Sequence, residues 1–199
     1  MMNNIIEKYD CLKNNKSYNI LLGSNSGSFL KVRCLNMNIR NLEEKDINKC
    51  LEIYNYYIEN TCFTLEEEKL DINSFKDRCL NILKKYPFIV LENDEGTIVG
   101  YAYLNTFNSR SAYRITADLS IYVNKDHLHE HIGAILLKEI EKLAQERGIL
   151  NIISIVTSEN ENSSSFHLKN GFVLEGTIHD VAIKFGKTIS VNYFRKSLK

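Results

Sequence analysis

The chain has 199 residues, of which 44% are hydrophobic and 25% are charged, and its 25 basic side chains balance its 25 acidic ones. This composition is typical of a globular protein with one domain, or with one domain and an appendage. Nucleic-acid binders and membrane-surface proteins usually carry an excess of basic residues. The zero net charge therefore argues against both kinds of partner and favours a small molecule.

Five cysteines are scattered along the chain without a C-x-x-C pair. This pattern is typical of reduced thiols in the cytoplasm rather than of a disulfide framework. The opening sequence M-M-N-N-I-I-E-K-Y-D lacks the apolar segment of a signal peptide, and no long apolar run follows it. We therefore expect a cytoplasmic protein with no signal peptide and no membrane span.

Residues 1–36 differ in pattern from the rest of the chain. They contain a polar helix candidate from Asn4 to Lys13, followed by the strand candidates Y-N-I-L-L and F-L-K-V-R-C-L around G-S-N-S-G-S. Two short strands around a Gly/Ser turn predict a hairpin. Since Met37 could itself be a start codon, the segment is either an N-terminal extension or the product of a misplaced start. Residues 37–199 form the predicted main domain.

The first part of the main domain reads as one strand followed by two helices. M-N-I-R-N-L predicts the strand, and a helical apolar stripe then predicts the first helix. Asp71 is a candidate N-cap for the second helix. The stripe of the first helix consists of Ile47, Leu51, Tyr54 and Ile58.

Three strands follow, the first two being F-I-V-L-E and T-I-V-G-Y-A-Y-L around the turn N-D-E-G. The third runs from about Arg114 to Val123, and a helix begins near Ile132. N-I-I-S-I-V then predicts a short buried strand.

The last part of the chain predicts one helix and two strands. The S-x-x-E sequence at Ser158 predicts a capping box that begins the helix, and Asn170-Gly171 predicts its end. The two strands turn at F-G-K. From Met37 the predicted order is β-α-α-β-β-β-α-β-α-β-β, which indicates an α/β layered domain with a mixed sheet.

The loop N-K-D-H-L-H-E-H-I-G-A, between a strand and a helix, is the first candidate site. Free amides at a helix N-terminus can hold a phosphate, although an ordinary strand-to-helix connection explains a single Gly133 equally well. The loop also contains His127, His129 and His131, whose H-x-H-x-H spacing could bind zinc or nickel. No further ligand is evident nearby, so we predict a solvated polar loop and no metal site, and a zinc or nickel site is the alternative.

Two further sets of polar residues are candidates. Asn160, Ser163 and His167 share one stripe of the predicted helix, which is either a functional stripe or a solvated face. Asp118 lies inside a strand, which runs against the propensity of aspartate. Since Arg114 would lie on the same face of this strand, an exposed ion pair between Asp118 and Arg114 is the alternative to a functional acid.

Together these motifs resemble the GNAT acetyltransferase superfamily, and within it the phosphinothricin/methionine sulfoximine N-acetyltransferase group, over roughly residues 39–194. L-E-I-Y-N-Y-Y-I-E-N-T-C-F-T-L-E-E-E is similar to that group's I-Y-N followed by N-T and T-F-x-E-E. F-N-S-R-S-A-Y-R-I-T-A-D-L-S-I-Y-V is similar to F-R-x-R-x-x-Y-R-x-T-x-E-x-S-V-Y-V. E-N-E-N-S-S-S-F-H-L-K-N-G-F matches E-N-x-x-S-x-x-L-H-x-x-x-G-F. K-F-G-K corresponds to the group's K-F-G-R.

The resemblance implies a GNAT fold of the α/β (α+β) class, with a mixed, mostly antiparallel central sheet flanked by helices. The sheet splays between its fourth and fifth strands, and acetyl-CoA, the acetyl donor, lies in that opening. Backbone groups of the strand that ends at Val123 and the first turn of the last helix would hold the pantetheine arm. The amides of the loop from about His129 to Ala134 would hold the pyrophosphate. The implied cofactor-binding residues are Ile121, Tyr122, Val123, His129, His131, Ile132, Gly133, Ala134, Asn160 and Ser163.

The implied activity is N-acetylation of a small amino-acid-like amine by direct attack on the thioester. Asp118 occupies the position of the family's glutamate base, and His167 is implied as the acid that protonates the thiolate. The implied substrate-binding residues are Leu65, Arg110 and Tyr113. Asn108 replaces the first arginine of the pattern, which weakens the case for a doubly anionic substrate. The family also forms homodimers.

The loop departs from the family pattern R/Q-x-x-G-x-G/A, because Leu128, His131 and Gly133 stand at its three defining positions. Glu130 adds a negative charge beside the diphosphate. We expect His131 to serve only if its backbone angles are ordinary and its side chain points away. These changes predict cofactor binding weakened by about 2–4 kcal/mol. The alternative function is a catalytically impaired GNAT-fold binding or regulatory module.

Overall fold

The computed structural model describes residues 17–20 and 35–199. Its strands are β1 (Ser17–Ile20), β2 (Leu35–Asn41), β3 (Phe88–Glu92), β4 (Ile98–Thr106), β5 (Thr116–Val123), β6 (Asn151–Thr157), β7 (Val173–Lys184) and β8 (Lys187–Ser197). Its helices are α1 (Ile47–Asn60), α2 (Ile72–Leu83), α3 (Ile132–Glu146) and α4 (Glu161–Lys169). The predicted order of elements from Met37 onward is confirmed.

All eight strands form one sheet in the order β1-β2-β3-β4-β5-β6-β8-β7. Neighbouring strands are antiparallel except β5 and β6, which are parallel. The predicted mixed, mostly antiparallel sheet is therefore confirmed. Among the residues that the structure describes, no helix is both long and apolar enough to cross a membrane.

The N-terminal segment adds a strand to the edge of the sheet. Strand β1 pairs antiparallel with β2, with Ser17 opposite Asn38 and Ile20 opposite Leu35. The sequence predicts a strand here and pairs it with residues 29–35. In the structure, β1 pairs with residues 35–38 instead. The helix candidate Asn4–Lys13 and residues 29–34 lie outside the described residues. The boundary predicted after residue 36 falls inside β2.

Helices α1 and α2 cover one face of the sheet, which we call the α1 face. The apolar stripe of α1 is buried at Ile47, Tyr54 and Ile58, as its spacing predicts. The Tyr54 ring packs edge-on against the Tyr122 ring of β5, with 5.0 Å between the centroids. Asp71 caps α2 as predicted, since its side chain accepts hydrogen bonds from two amides of the first turn.

Helices α3 and α4 cover the opposite face, which we call the α3 face. Gly100 of β4 provides the room for α3, because a Cβ atom at this position would lie only 2.8 Å from the Ile132 side chain. Lys196 of β8 reaches α3 and donates to Glu141 at 2.6 Å. The Phe166 ring of α4 lies beside Gly133, so α4 touches the first turn of α3.

Candidate active site

The sheet opens between β5 and β6. Their pairing covers only Thr116–Asp118 against Asn151–Ile153, although the strands continue to Val123 and Thr157. Beyond this short ladder each strand has no partner on the side that faces the other. We call this opening the β5–β6 gap, and it confirms the predicted splay between the fourth and fifth strands of the main domain.

The backbone of β5 offers free hydrogen-bonding groups to the gap. The Asn124 amide donates to the Val99 carbonyl of β4 at 2.8 Å. Because backbone groups alternate in direction along a strand, Tyr122 also faces β4, whereas Ile121 and Val123 face the gap. The Val123 carbonyl accepts from the Tyr57 hydroxyl at 2.7 Å. The two amides can therefore bind an extended ligand, and Tyr122 does not share that role.

Thr157, at the end of β6, adds a polar side chain that the sequence motifs do not include. It is buried, and its hydroxyl has no hydrogen-bond partner within the described residues. Ile153 of β6 pairs with Asp118, and side chains alternate between the two faces along a strand. Ile155 and Thr157, two and four residues beyond Ile153, therefore lie on the α1 face with Asp118. A buried hydroxyl without a partner costs free energy, which a ligand in the gap would recover.

The loop before α3 has an unusual backbone. His131 is the N-cap of α3 and has φ 58° and ψ 10°, and His129 also has a positive φ of 67°. The condition set for His131, an ordinary backbone, is therefore not met. An L-residue pays a free-energy cost in this left-handed region, which glycine does not pay.

The helix N-terminus nevertheless remains available to an anion. The His131 side chain makes no capping hydrogen bond, and both His129 and His131 are exposed. The Ile132 and Gly133 amides belong to the first turn of α3 and have no partner within the helix. The Ala134 amide donates to the His131 carbonyl at 3.0 Å. Two free amides and the helix dipole can therefore bind a phosphate.

Glu130 is not an isolated negative charge. Its carboxylate lies 3.0 Å from Nδ1 of His127, and both side chains are partly buried. This contact engages the Glu130 carboxylate and uses one of the three loop histidines. Within the described residues no group of three His, Cys, Asp or Glu side chains is arranged to hold a metal ion.

Helix α4 begins two residues later than the motif predicts. Asn160 is its N-cap and accepts from the Ser163 amide at 3.0 Å. The capping box predicted from Ser158 is wrong, because the Ser158 hydroxyl donates to the Ser190 carbonyl of β8 at 2.8 Å. Asn160 and Ser163 still meet in the first turn, at the open end of the gap.

Asp118 is a carboxylate in a desolvated position. Burial raises its pKa from 3.8 to about 6, partly opposed by a hydrogen bond from the Leu119 amide. Its Oδ1 atom has no partner within the described residues. Arg114 lies in the 3-10 turn Ser111–Ile115 and not in the strand, so the predicted alternative of an ion pair between them is wrong. A carboxylate with a pKa near 6 suits a general base at neutral pH.

His167 lies on the other side of the sheet from Asp118. Its ring stacks on Phe194, whose strand pairing places it on the α3 face, and Asp118 shares the α1 face with Tyr122. The Nδ1–H donates to the Ser163 carbonyl at 2.7 Å, and burial lowers the pKa of the ring. A neutral imidazole whose proton is already bonded is a poor acid. These contacts argue against the predicted proton transfer to the thiolate.

The loop between α1 and α2, residues 61–71, carries Leu65, which is 39% exposed. The preceding residue is buried, and its hydroxyl lies 3.1 Å from the Tyr54 hydroxyl. The following residue, Glu66, forms an ion pair with Arg78 of α2 at 2.5 Å. Both neighbours of Leu65 are thus fixed while its own side chain faces solvent, which suits a residue that contacts a substrate.

Arg110 and Tyr113 lie in a different segment, immediately before β5. Arg110 precedes the 3-10 turn and is exposed, and Tyr113 is 40% exposed beside the Phe107 ring. The segment adjoins the end of β5 that carries Asp118. The structure therefore places Arg110 and Tyr113 in the segment that leads to Asp118, and Leu65 in the α1–α2 loop.

Comparison with known proteins agrees with this geometry. Residues 39–192 match the acetyltransferase (GNAT) domain model. The chain is 29% identical over 162 residues to a phosphinothricin N-acetyltransferase of Alcaligenes faecalis, covering 80% of this chain and 82% of that protein. It is 26% identical over 168 residues to the L-methionine sulfoximine/L-methionine sulfone acetyltransferase of Pseudomonas aeruginosa, covering 82% and 96%.

The fold is shared with an enzyme solved with its acetyl donor. The crystal structure of a GNAT superfamily phosphinothricin acetyltransferase from Sinorhizobium meliloti in complex with acetyl-CoA has a TM-score of 0.78 and 26% identity, covering 81% of this chain and 88% of that one. The free amides at the gap and at the start of α3 fit the same ligand. The chain therefore belongs to the GNAT acetyltransferase family and is an N-acetyltransferase that uses acetyl-CoA.

Proposed function

We propose that the protein acetylates the primary amine of a small amino-acid-like acceptor. The observation that carries this proposal is the desolvated carboxylate of Asp118 at the closed end of the β5–β6 gap, on the α1 face. The relatives act on phosphinothricin and on methionine sulfoximine, by their names. Both are small amino acids with an α-amine, and the base lies where such an amine would meet the acetyl group.

The acceptor contacts come from the two segments described above. Arg110 would bind the α-carboxylate of the acceptor, and Tyr113 and Leu65 would contact its side chain. Asn108 replaces the first arginine of the family pattern, so the site has less positive charge for a second anionic group. We therefore propose an acceptor with one carboxylate and an uncharged side chain.

The bound donor supplies an acetyl thioester whose carbonyl carbon the amine attacks, forming the C–N bond as the C–S bond breaks. Asp118 accepts the proton that the nitrogen loses, directly or through one water molecule. Because a free thiol has a pKa near 8.5, the thiolate can leave without an acid supplied by the protein. In this scheme His167 has a positioning role, since it packs the end of α4 against Phe194 and fixes the turn that carries Ser163.

The donor contacts follow from the free groups of the gap. The Ile121 and Val123 amides and the first turn of α4 would flank the pantetheine arm, and the Ile132 and Gly133 amides would bind the pyrophosphate. His129, His131 and Ala134 complete this loop. The alternative function, a binding module that has lost catalysis, depends on failure of this loop.

Calorimetric titration with acetyl-CoA, followed by an acetylation assay with L-methionine sulfoximine and a panel of L-amino acids, tests the proposed function. We expect a saturable heat and acetylation of at least one acceptor. The His131→Gly variant should gain about 1 kcal/mol of stability and bind acetyl-CoA at least as tightly, because glycine adopts a positive φ without strain. His131→Ala, which removes the ring but keeps the Cβ atom, is the matched control and should show no gain. No heat at millimolar acetyl-CoA would instead support the binding module.

We also propose that two copies associate through β7. This strand is the edge of the sheet, and several of its large apolar side chains are exposed. An exposed apolar edge strand is prone to pair with another chain, and a second copy would cover it. The exposed residues include Val173, Leu174, Ile178, Val181 and Ile183.

Light scattering coupled to gel filtration tests the dimer. We expect a mass near twice that of the chain, and a monomer for Ile178→Lys, since a charge in an apolar interface is costly to desolvate. Leu80→Lys replaces a similarly exposed leucine on α2 and should leave the dimer intact. A monomeric wild-type protein at micromolar concentration would refute the proposal.

The predicted cytoplasmic location belongs to the same proposal. Cys50, Cys62 and Cys79 form no disulfide within residues 35–199. Burial raises the pKa of the Cys79 thiol to about 12, so this cysteine is an inert core residue. Unpaired thiols are compatible with a reducing compartment.

A further inference from the structure

The α1–α2 loop crosses the open end of the β5–β6 gap on the α1 face. On one side of the gap, the Thr64 hydroxyl lies beside the Tyr122 side chain of β5. On the other side, the Cys62 thiol lies beside the Glu159 side chain, in the turn after β6. Because the gap lies between these two contacts, the loop forms a roof over the gap.

Lys184, the last residue of β7, holds this roof from the far side. Its side chain is only 1% exposed, and its Nζ donates to the Thr64 carbonyl at 2.7 Å. Strand β7 lies beyond β6 and β8 in the sheet, so the contact ties the loop to an element three strands away from β5. A buried ammonium group is costly to desolvate and is retained only where it makes a strong contact.

Thr64 is therefore fixed at two atoms by two different layers of the fold. Its hydroxyl meets the Tyr54 hydroxyl of α1 at 3.1 Å, and its carbonyl accepts from Lys184. The next residue in the chain is Leu65, whose exposed side chain is the proposed acceptor contact. A shift of Thr64 would move Leu65 with it.

We infer that Lys184 is a positioning residue for the acceptor: it clamps Thr64 and thereby holds the α1–α2 loop in the geometry that binds the acceptor's side chain. The inference rests on the proposed function, since it assigns the acceptor to this face of the gap. It concerns acceptor affinity alone, because the amides assigned to the donor lie at Ile121, Val123 and the start of α3.

The Lys184→Met variant tests the inference, because methionine fills the space of the lysine stem without donating a hydrogen bond. With the panel acceptor that the wild-type protein acetylates best, we expect the acceptor KM to rise about tenfold and kcat to change less than about twofold. The Kd for acetyl-CoA should stay within about twofold of wild type. Lys184→Arg, which can still donate to the Thr64 carbonyl, should restore most of the acceptor affinity.

Two comparisons separate positioning from a general structural role. Lys187→Met removes an exposed lysine opposite Lys184 in the same hairpin and should leave the acceptor KM unchanged. Tyr54→Phe removes the hydroxyl contact to Thr64, together with the Tyr54 hydrogen bonds to Glu66 and Arg78, and should raise the acceptor KM in the same direction. It also gives a test should Lys184→Met fold poorly. Amide hydrogen exchange in residues 61–71 should accelerate in Lys184→Met.

The inference is refuted if the loop amides of Lys184→Met exchange as in wild type, or if its acceptor KM is unchanged. Equal losses of acceptor and acetyl-CoA affinity would also refute it, since they indicate a general defect. Failure of the proposed function has a different signature: the wild-type protein then acetylates no amine in the panel. In that case the exchange measurement alone decides whether Lys184 clamps the loop.

Discussion

Replacing Asp118 by Asn should lower kcat by about 10²- to 10⁴-fold while leaving the Kd for acetyl-CoA nearly unchanged. Asparagine keeps the shape of the side chain but cannot accept the proton of the amine. Asp118→Glu should retain much of the activity, because it restores a carboxylate one methylene longer, as in the family pattern. Asp126→Asn, at an exposed acid in the loop after β5, is the control and should be as active as wild type.

The pH dependence of the same reaction follows from the pKa of Asp118. With a pKa of about 6, the carboxyl is mostly ionised at pH 7 and becomes protonated as the pH falls. kcat/KM should therefore decrease about tenfold per pH unit below pH 6. This acidic limb should disappear in Asp118→Asn. An acidic limb that persists in the variant would assign the base to another residue.

The Asp118→Asn substitution should raise the stability of the protein although it lowers the activity. The pKa of Asp118 is higher in the folded chain, about 6, than its ordinary value of 3.8, so the folded state binds this proton more tightly. The carboxyl therefore destabilises the fold as the pH rises from about 4 to 6, and fully so at pH 7. Asp118→Asn removes this penalty and should stabilise the protein by about 1–3 kcal/mol at pH 7. Thermal unfolding should show no such gain at pH 4 or below.

The sequence predicts the architecture well because its signals are local. The apolar stripe of α1, the N-cap Asp71 and the turn N-D-E-G each act over a few residues, and the structure contains all three features. The position of the gap follows from the resemblance together with the order of strands. The alternation of side chains along β5 also predicts that Asp118 and Tyr122 share one face of the sheet. Only the fold shows how deeply the Asp118 carboxyl is desolvated.

Other parts of the site depend on contacts that no local pattern reveals. The clamp joins Lys184 to Thr64 across 120 positions of sequence. The left-handed backbone of His131 is a property of the loop geometry, which residue spacing does not encode. The Ser158 motif gives a false capping signal because its hydroxyl is engaged by β8. His167 falls on the predicted stripe of α4, but its ring packs on Phe194.

The Gly100→Ala substitution should damage donor binding from the opposite side of the sheet. A Cβ atom there would lie 2.8 Å from Cγ2 of Ile132, 3.0 Å from the Tyr122 carbonyl oxygen and 3.2 Å from Leu136. The carbonyl belongs to β5 and cannot move without disturbing the edge of the gap. The first turn of α3 must therefore shift away from the sheet, and the amides proposed for the pyrophosphate shift with it.

We expect Gly100→Ala to lose about 1–3 kcal/mol of stability, the usual cost of overpacking a filled core. The Kd for acetyl-CoA should rise about tenfold, because charge-assisted hydrogen bonds depend steeply on geometry. Gly176→Ala on β7 is the matched control, since its Cβ atom would meet no atom within 4 Å.

A double-mutant cycle identifies Ile132 as the origin of the strain. The Ile132→Ala substitution removes the Cγ2 atom that the new Cβ atom would meet. It should therefore cost less stability in the Gly100→Ala background than in wild type. Additive losses in the cycle, or an unchanged Kd in Gly100→Ala, would show that the packing of β4 against α3 does not control the donor loop.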